Sequence, residues 1–125
     1  MFNIDRILHA SFIVSDTQRS LAFYRDVLGL EMDPQRPDLG FPGAWLKVGE
    51  GSIHLLELPN PDPVSGRPEH GGRDRHVALA VKHFDALAAA LEKAGVPFTR
   101  SRSGRRAIFC RDPDGNALEF IETPE

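Results

Sequence analysis

The chain has 125 residues, of which 41% are hydrophobic, and this is enough for one compact core but too little for two independent domains. Its formal net charge of −3 offers no basic surface of the kind that binds a phosphate backbone, so no nucleic-acid partner is expected. The single cysteine, Cys110, excludes an intramolecular disulfide, and no apolar segment has the length that spans a bilayer. We therefore expect a cytoplasmic protein with no membrane partner.

The first half of the chain predicts a strand, a helix and three further strands. Its first strand is mostly apolar, with His9 and Ser11 on one face. The helix that follows is capped by Asp16 or Thr17 and ended by Gly29, because glycine accepts the conformation that terminates helices. The expected elements are, in order, strand 7–14, helix 17–28, a short strand from residue 31, and strands 45–48 and 52–58.

A break in the pattern separates this half from the next. Residues 59–72 contain four prolines and three glycines, which predicts an exposed polar linker. The same order of elements then returns as strand 75–81, helix 84–94, extended segment 96–98, polar loop 101–105, and strands 106–111 and 117–122. We predict a single domain, 1–125, built of two modules at about 5–58 and 73–123 that the linker connects.

Landmarks in the two halves recur at nearly constant spacing. His9 and His76 are 67 positions apart, and the glycines that end the two helices are 66 apart. Segment 52–57 matches segment 117–122 at a spacing of 65. Agreement within two residues predicts an α+β fold of two tandem βαβββ modules with mixed, curved sheets.

A strong turn signal precedes the last strand. In Asp-Pro-Asp-Gly, residues 112–115, proline presets φ for the second turn position and glycine supplies the positive φ that the turn requires. The strand that follows alternates its faces, so Glu119 and Ile121 point away from Leu118 and Phe120. Glu119 is therefore either a solvated residue on the open side of a curved sheet or a ligand.

The duplication groups four polar residues into one set. His9 and His76 lie near the start of the first strand of each half, and His54 and Glu119 lie at matching places on the last strands. If the two sheets face each other across a pseudo-twofold axis, the four side chains converge in one cleft. Imidazole and carboxylate suit one divalent ion of Mn, Fe, Co, Ni or Zn, and two histidines with one carboxylate suit Fe(II) in particular.

Four segments of the chain resemble the vicinal oxygen chelate superfamily, which includes glyoxalase I, extradiol dioxygenases, fosfomycin-resistance proteins and bleomycin-resistance proteins. The segments are Leu-His-Ala-Ser at 8–11, the helix 20–30, Arg-His-Val-Ala-Leu at 75–79, and the turn and strand 112–119. The resemblance implies paired βαβββ modules that form a half-open barrel around a metal site, within a homodimer that acts on a small molecule.

The resemblance also implies roles for individual residues. His9, His76 and Glu119 match the three metal ligands of the dioxygenase and fosfomycin branches, and Glu119 is the candidate catalytic base. His54 matches the fourth position, where glyoxalase I has a carboxylate, and three roles stay open for it: metal ligand, contact to a substrate oxygen, or catalytic acid or base. Ser11 matches a hydroxyl residue of the fosfomycin branch and is a candidate substrate contact.

Further substrate contacts are expected from a basic loop and one aromatic residue. Arg102, Arg105 and Arg106 stand where the fosfomycin branch binds potassium, and they suggest an anionic substrate, although loop arginines are ordinarily solvated. Trp45 is a candidate for lining the pocket, against the default that an aromatic residue on a strand belongs to the core. His70 is expected at the surface.

These features predict a metal-dependent enzyme whose ion holds two oxygens of a small substrate. A lyase or isomerase of the glyoxalase type is the first expectation, with an Fe(II) extradiol dioxygenase or a fosfomycin-type transferase as alternatives. A different class is a metal-free protein that binds or sequesters a drug, as bleomycin-resistance proteins do. That class predicts an apolar, aromatic cleft that keeps its function after metal is removed.

Overall fold

Two mixed four-stranded sheets form the scaffold in the computed structural model, which describes residues 1–124. The first sheet contains β1 His9–Val14, β2 Glu31–Met32, β3 Gly43–Val48 and β4 Gly51–Glu57, in the order β1-β4-β3-β2. The second contains β5 His76–Val81, β6 Phe98–Arg100, β7 Ala107–Arg111 and β8 Ala117–Glu122, in the order β5-β8-β7-β6. The α+β class and the tandem βαβββ order are confirmed, and the two sheets stay open as a half-open barrel requires.

A helix connects the first two strands of each sheet. Asp16 caps the first helix by accepting a hydrogen bond from the backbone N–H of Arg19, and Gly29 ends the helical region at a φ of +74°. The second part of this region is π-helical, where an α-helix was predicted, and Phe23 and Tyr24 both enter the core from it. None of the helices in residues 1–124 has the length and apolar character that a membrane crossing needs. The helical segments are α1 Thr17–Leu21, the π-helical segment Ala22–Val27, the 3₁₀ turn Gly71–Arg73 and α2 Phe84–Lys93.

The strand register is the same in both sheets. β1 runs parallel to β4, and β5 runs parallel to β8, while the remaining pairs are antiparallel. Ser11 pairs with His54, and Ala78 pairs with Glu119. His54 and Glu119 therefore occupy equivalent positions in their sheets, so the repeat that spacing predicted extends to individual residues.

A buried hydrogen-bond network links the two halves through the Asp-Pro-Asp-Gly turn. The hydroxyl of Tyr24 donates to Asp112 Oδ2 at 2.7 Å, and the side-chain amide of Asn116 donates to the same oxygen at 2.9 Å. The amide of Asn116 also donates to the carbonyl of Ile13 on β1 at 3.1 Å. Burial raises the pKa of Asp112, and the hydrogen bonds that the carboxyl accepts act in the opposite direction. The turn thus fixes the start of β8 against the first half of the chain.

The linker 59–72 is mostly exposed, as predicted, but the prediction is wrong at its end. Gly71 is buried, and the 3₁₀ turn that it begins packs against β7 and β8. Asp74 anchors the chain just after this turn, because Arg111 and Arg67 both donate to its carboxylate. The hydrogen bond from Arg111, followed by that from Arg67, lowers the pKa of Asp74 to about 2. Small side chains at the turn allow the backbone to cover part of the second sheet.

Candidate functional site

Side-chain alternation turns one face of each sheet away from the helices, and these two faces carry the predicted site residues. We call them the first and second site faces. The first site face holds His9 and Ser11 of β1, His54 of β4 and Trp45 of β3. The second site face holds His76 and Ala78 of β5, Glu119 of β8 and Phe109 of β7.

The second site face brings His76 and Glu119 into direct contact. His76 Nε2 lies 3.2 Å from Glu119 Oε1, and the Glu119 side chain is only 3% exposed. His76 Nδ1 donates to the carbonyl of Asp74 at 2.9 Å, so Nε2 of the neutral ring is an acceptor. Nε2 and Oε1 are both acceptors, so a cation placed between them would be held by both.

Arg105 provides a positive charge for the same carboxylate. Its Nη2 donates to Glu119 Oε2 at 2.6 Å, although the arginine side chain itself is 55% exposed. Burying an unpaired carboxylate is costly, and this ion pair offsets part of that cost. Arg105 thus contacts a protein carboxylate in this structure. The role of Arg105 in binding a substrate anion stays a prediction.

The first site face has a different character, since three aromatic rings are stacked on it. The ring of His54 lies between those of His9 and Trp45, with centroid separations of 3.9 Å and 4.3 Å and interplanar angles of 13° and 8°. His54 Nε2 also lies 3.0 Å from the hydroxyl oxygen of Ser52. An imidazole lone pair lies in the plane of its ring, so parallel rings do not point at one ion. Joint metal ligation would require His9 or His54 to turn.

Burial is the first cause that lowers the pKa of His54, and the charge of His9 is the second. The guanidinium of Arg36 lowers it further, while the carboxylate of Asp33 acts in the opposite direction. The neutral form of His54 is therefore favoured. A neutral imidazole is the form that ligates metals or accepts a proton.

The four predicted metal ligands form two pairs rather than one cluster. Within residues 1–124, no group of three or more His, Cys, Asp and Glu side chains is placed to hold a metal ion. His9 and His76 nevertheless line one groove of about 460 Å³ between β1 and β5. Three imidazoles and one carboxylate are a suitable set of donors for a borderline divalent ion, so the residues fit the metal in chemistry once the pairs are brought together.

Of the predicted substrate contacts, Ser11 lies on the first site face, whereas Arg102 and Arg106 lie outside both pairs of predicted ligands. Ser11 is exposed on β1, directly across from His54 in the strand register. Arg102 is exposed on the loop that also carries Arg105. Arg106 donates to Glu122 and Asp85 and lies over the ring of Phe84, which places it beside α2 and off the second site face.

His70 was expected at the surface, and this expectation is wrong. The side chain is partly buried, with Nδ1 lying 2.7 Å from the hydroxyl oxygen of Thr99 and the ring edge-on to Phe109 at 4.6 Å. The rings of His70 and His76 both contact Phe109. The adjacent Gly-Gly pair allows the linker to approach the sheet, but a polar residue inside a proline-rich segment gives no sequence signal of this packing.

Comparison with known proteins agrees with the fold. The family described as "Glyoxalase/Bleomycin resistance protein/Dioxygenase superfamily" matches residues 6–120. A lactoylglutathione lyase of Haemophilus influenzae is 34% identical over 125 residues, with 94% of this chain and 92% of the relative covered. A solved structure from Bacillus anthracis, assigned to the glyoxalase family, has a TM-score of 0.80 and 27% identity, with 99% of this chain and 100% of the other covered.

One further structure extends the range of functions found on this fold. TnmS3, an antibiotic binding protein from Streptomyces sp. CB03234, has a TM-score of 0.75 and 22% identity, with 99% of this chain and 100% of the other covered. At that identity the likeness concerns the fold alone. The resemblance seen in the sequence is confirmed, and the chain belongs to the glyoxalase, bleomycin-resistance protein and dioxygenase superfamily.

Proposed function

We propose that the protein is a divalent-metal-dependent lyase or isomerase of the glyoxalase type, acting on a small substrate that presents two oxygens. The observation that carries the proposal is the contact between His76 and the buried carboxylate of Glu119. A divalent cation stabilises an acceptor nitrogen and a carboxylate held 3.2 Å apart. The named activity of the lactoylglutathione lyases, which this chain matches at 30–34% identity, supports the choice of reaction.

In this proposal His9, His54, His76 and Glu119 hold the metal, which supplies a Lewis acid for the substrate oxygens. The carbonyl of Asp74 fixes the tautomer of His76, so that Nε2 is directed at the site. Glu119 is the base that takes up and returns a proton at the substrate carbon. His54 is held in the neutral form and can accept a proton or bind through Nε2.

The two ligand pairs must come together for this chemistry. Either the groove between β1 and β5 closes within one chain, or a second copy supplies the missing pair. We propose the second route, a homodimer in which each site takes His9 and His54 from one chain and His76 and Glu119 from the other. Closed twofold dimers of identical chains are common, and a pseudo-twofold repeat is suited to such pairing.

The function is tested on purified protein that has been stripped of metal and reloaded separately with Mn, Fe, Co, Ni and Zn. We expect about one metal per four-residue site and turnover of lactoylglutathione with the preferred ion. The Glu119→Gln variant should lose both, whereas Glu50→Gln, a change at an exposed hairpin position, should keep both. The proposal fails if no ion binds, or if an ion binds equally well in the Glu119→Gln protein.

Subunit complementation tests how the site is assembled. The His54→Ala and Glu119→Ala variants are inactive alone if both residues are required. After unfolding and refolding an equal mixture, a site shared between chains restores about one quarter of the wild-type activity, because half of the dimers contain one intact site of two. A site contained in one chain restores nothing, which would refute the shared arrangement but leave the metal proposal intact.

A second candidate function is metal-free binding of a flat aromatic compound. The stack of His9, His54 and Trp45 offers an aromatic surface, and Arg105 already supplies the positive charge for Glu119. TnmS3 shows that an antibiotic binding protein has the same fold. In this case Trp45 fluorescence should respond to planar aromatic compounds equally before and after chelation of metal. Loss of the response after chelation would favour the enzyme.

A further inference from the structure

Arg36 is a partly buried cation that has no carboxylate partner within residues 1–124. Three arginines in residues 1–124 are partly buried, and the other two, Arg67 and Arg111, both form ion pairs with Asp74. The guanidinium of Arg36 instead donates through Nη2 to the carbonyl of Phe41 at 2.8 Å and lies 5.5 Å from the centre of the Phe41 ring. Its Nε is buried and has no hydrogen-bond partner among the described residues.

The guanidinium lies beside Gly43 at the start of β3. A Cβ at Gly43 would clash first with the backbone carbonyl oxygen of Leu55 on β4, and it would also lie 3.0 Å from Nη2 of Arg36. The close approach of the β4 backbone therefore requires the glycine, and the guanidinium occupies the space next to it. Gly43 precedes Trp45 by two residues on β3, and alternation puts both on the first site face. The guanidinium therefore lies beside the first site face, two residues along β3 from Trp45.

The surrounding charges define what Arg36 can bind. Its guanidinium is near enough to His54 to help lower the pKa of that residue. The carboxylate of Asp33 also acts on His54, but its Oδ1 accepts a hydrogen bond from the backbone of Gln35 and it forms no ion pair with Arg36. A desolvated guanidinium with unused donors favours a ligand that has paired oxygen acceptors.

We propose that Arg36 forms an anion subsite beside the first site face and binds the carboxylate or phosphate group of a small ligand. This inference deepens the proposed function, since it rests on the first site face being part of the substrate cleft. It moves the expected anion contact from the loop of Arg102, Arg105 and Arg106 to β3 and the loop before it. Arg105 and Arg106 already contact protein carboxylates, whereas Arg36 contacts none in the part of the chain that the structure describes.

The test uses metal-free protein and inorganic phosphate, with potassium chloride holding the ionic strength constant. Trp45 is the only tryptophan in the sequence and lies on the same face, so its fluorescence reports binding. We expect a saturable response in the wild type and at least about a tenfold loss of affinity in Arg36→Gln, because charge-assisted hydrogen bonds are removed. Arg100→Gln is the matched control, since Arg100 is exposed on β6 of the other sheet and lies over Phe98.

A conservative variant keeps the inference testable if Arg36→Gln does not fold. Arg36→Lys retains the charge without the fork and should bind with intermediate affinity. The inference is overturned if wild-type protein shows no saturable response, or if the Arg36 variants bind phosphate as the wild type does. Because no metal is present, a failure of metal binding or turnover would leave this result standing.

Discussion

The two site faces have the same topology and register but opposite chemistry. On the first face, three rings are stacked and His54 is held neutral, with Arg36 nearby. On the second face, Glu119 is buried between His76 and Arg105, and a turn of the linker covers neighbouring strands. Duplication has thus kept the backbone positions and diversified what they carry. One face is suited to holding a flat or anionic group, and the other to holding a cation and moving a proton.

The largest effect should follow from removing the carboxylate that distinguishes the second face. Glu119→Gln keeps the shape of the side chain but cannot neutralise a cation or act as a base. We expect activity to fall roughly 10²–10⁴-fold and bound metal to be lost. Steady-state kinetics and elemental analysis measure these effects. If the Glu119→Gln variant retained most of its activity, the second site face would not be the one that holds the cation and moves the proton.

The next largest effect concerns the network that holds the two halves together. Tyr24→Phe removes the hydroxyl that donates to buried Asp112 at 2.7 Å. The free energy of unfolding should fall by about 2 kcal/mol, because the carboxylate loses one of its donors without gaining water. Burial raises the pKa of Tyr24 well above its usual value, so the hydroxyl keeps its proton at neutral pH.

Urea unfolding measures this loss, and a double-mutant cycle with Asp112→Asn isolates the contact. The two changes should be non-additive, since each breaks the same hydrogen bond. Additive losses would mean that Tyr24 stabilises the core by packing alone. The hydrogen bonds that link the two halves would then be those of Asn116 with Ile13, Asp114 with Ser15 and Pro113 with Arg19.

Local chemistry made much of the fold predictable. The capping by Asp16, the helix end at Gly29 and the Asp-Pro-Asp-Gly turn depend on neighbouring residues, so the sequence signals them directly. The spacing of the repeat also placed His54 and Glu119 at equivalent strand positions, which the register confirms. These features depend on residue propensity and periodicity, which can be evaluated without knowledge of tertiary contacts.

The site was less predictable because it depends on contacts between distant segments. His70 reaches Thr99, 29 positions away, and no local pattern marks that approach. The ion pair of Arg105 with Glu119 depends on the path of a polar loop. Arg36 likewise belongs to a proline-containing loop, and its hydrogen bond to the carbonyl of Phe41 depends on the path of that loop. Assigning roles to such residues requires the packed structure.

A smaller effect should follow from the ion pairs that hold the linker turn against the second half. The pKa of Asp74 is about 2, below its usual value of 3.8, so its contribution to stability is complete above about pH 4 and is lost as the pH falls toward 2. Asp74→Asn should cost about 1–2 kcal/mol at pH 7 and remove this acid-dependent loss.

Urea unfolding at pH 7 and at about pH 3 measures both effects of the Asp74 change. Asp62→Asn is the control, because Asp62 also pairs with an arginine, Arg75, but the pair is exposed and should contribute little. Equal losses in the two variants would show that the turn is not held by the buried pairs. The packing of the linker turn against the second sheet would then need another cause.

The smallest effect tests whether Arg105 and a metal compete for Glu119. The guanidinium engages one carboxylate oxygen at 2.6 Å, so a metal that uses this oxygen must displace it. Replacing the arginine removes the competitor, and Arg105→Gln should bind divalent ions about three- to tenfold more tightly. Calorimetric titration of stripped protein with Ni or Mn measures this, and Arg102→Gln, an exposed change on the same loop, should leave the affinity unchanged. Weaker binding in Arg105→Gln would mean that the arginine orients Glu119 for the metal. The ion pair between Arg105 and Glu119 would then be part of the metal site, and Arg105 would not take the place of the metal.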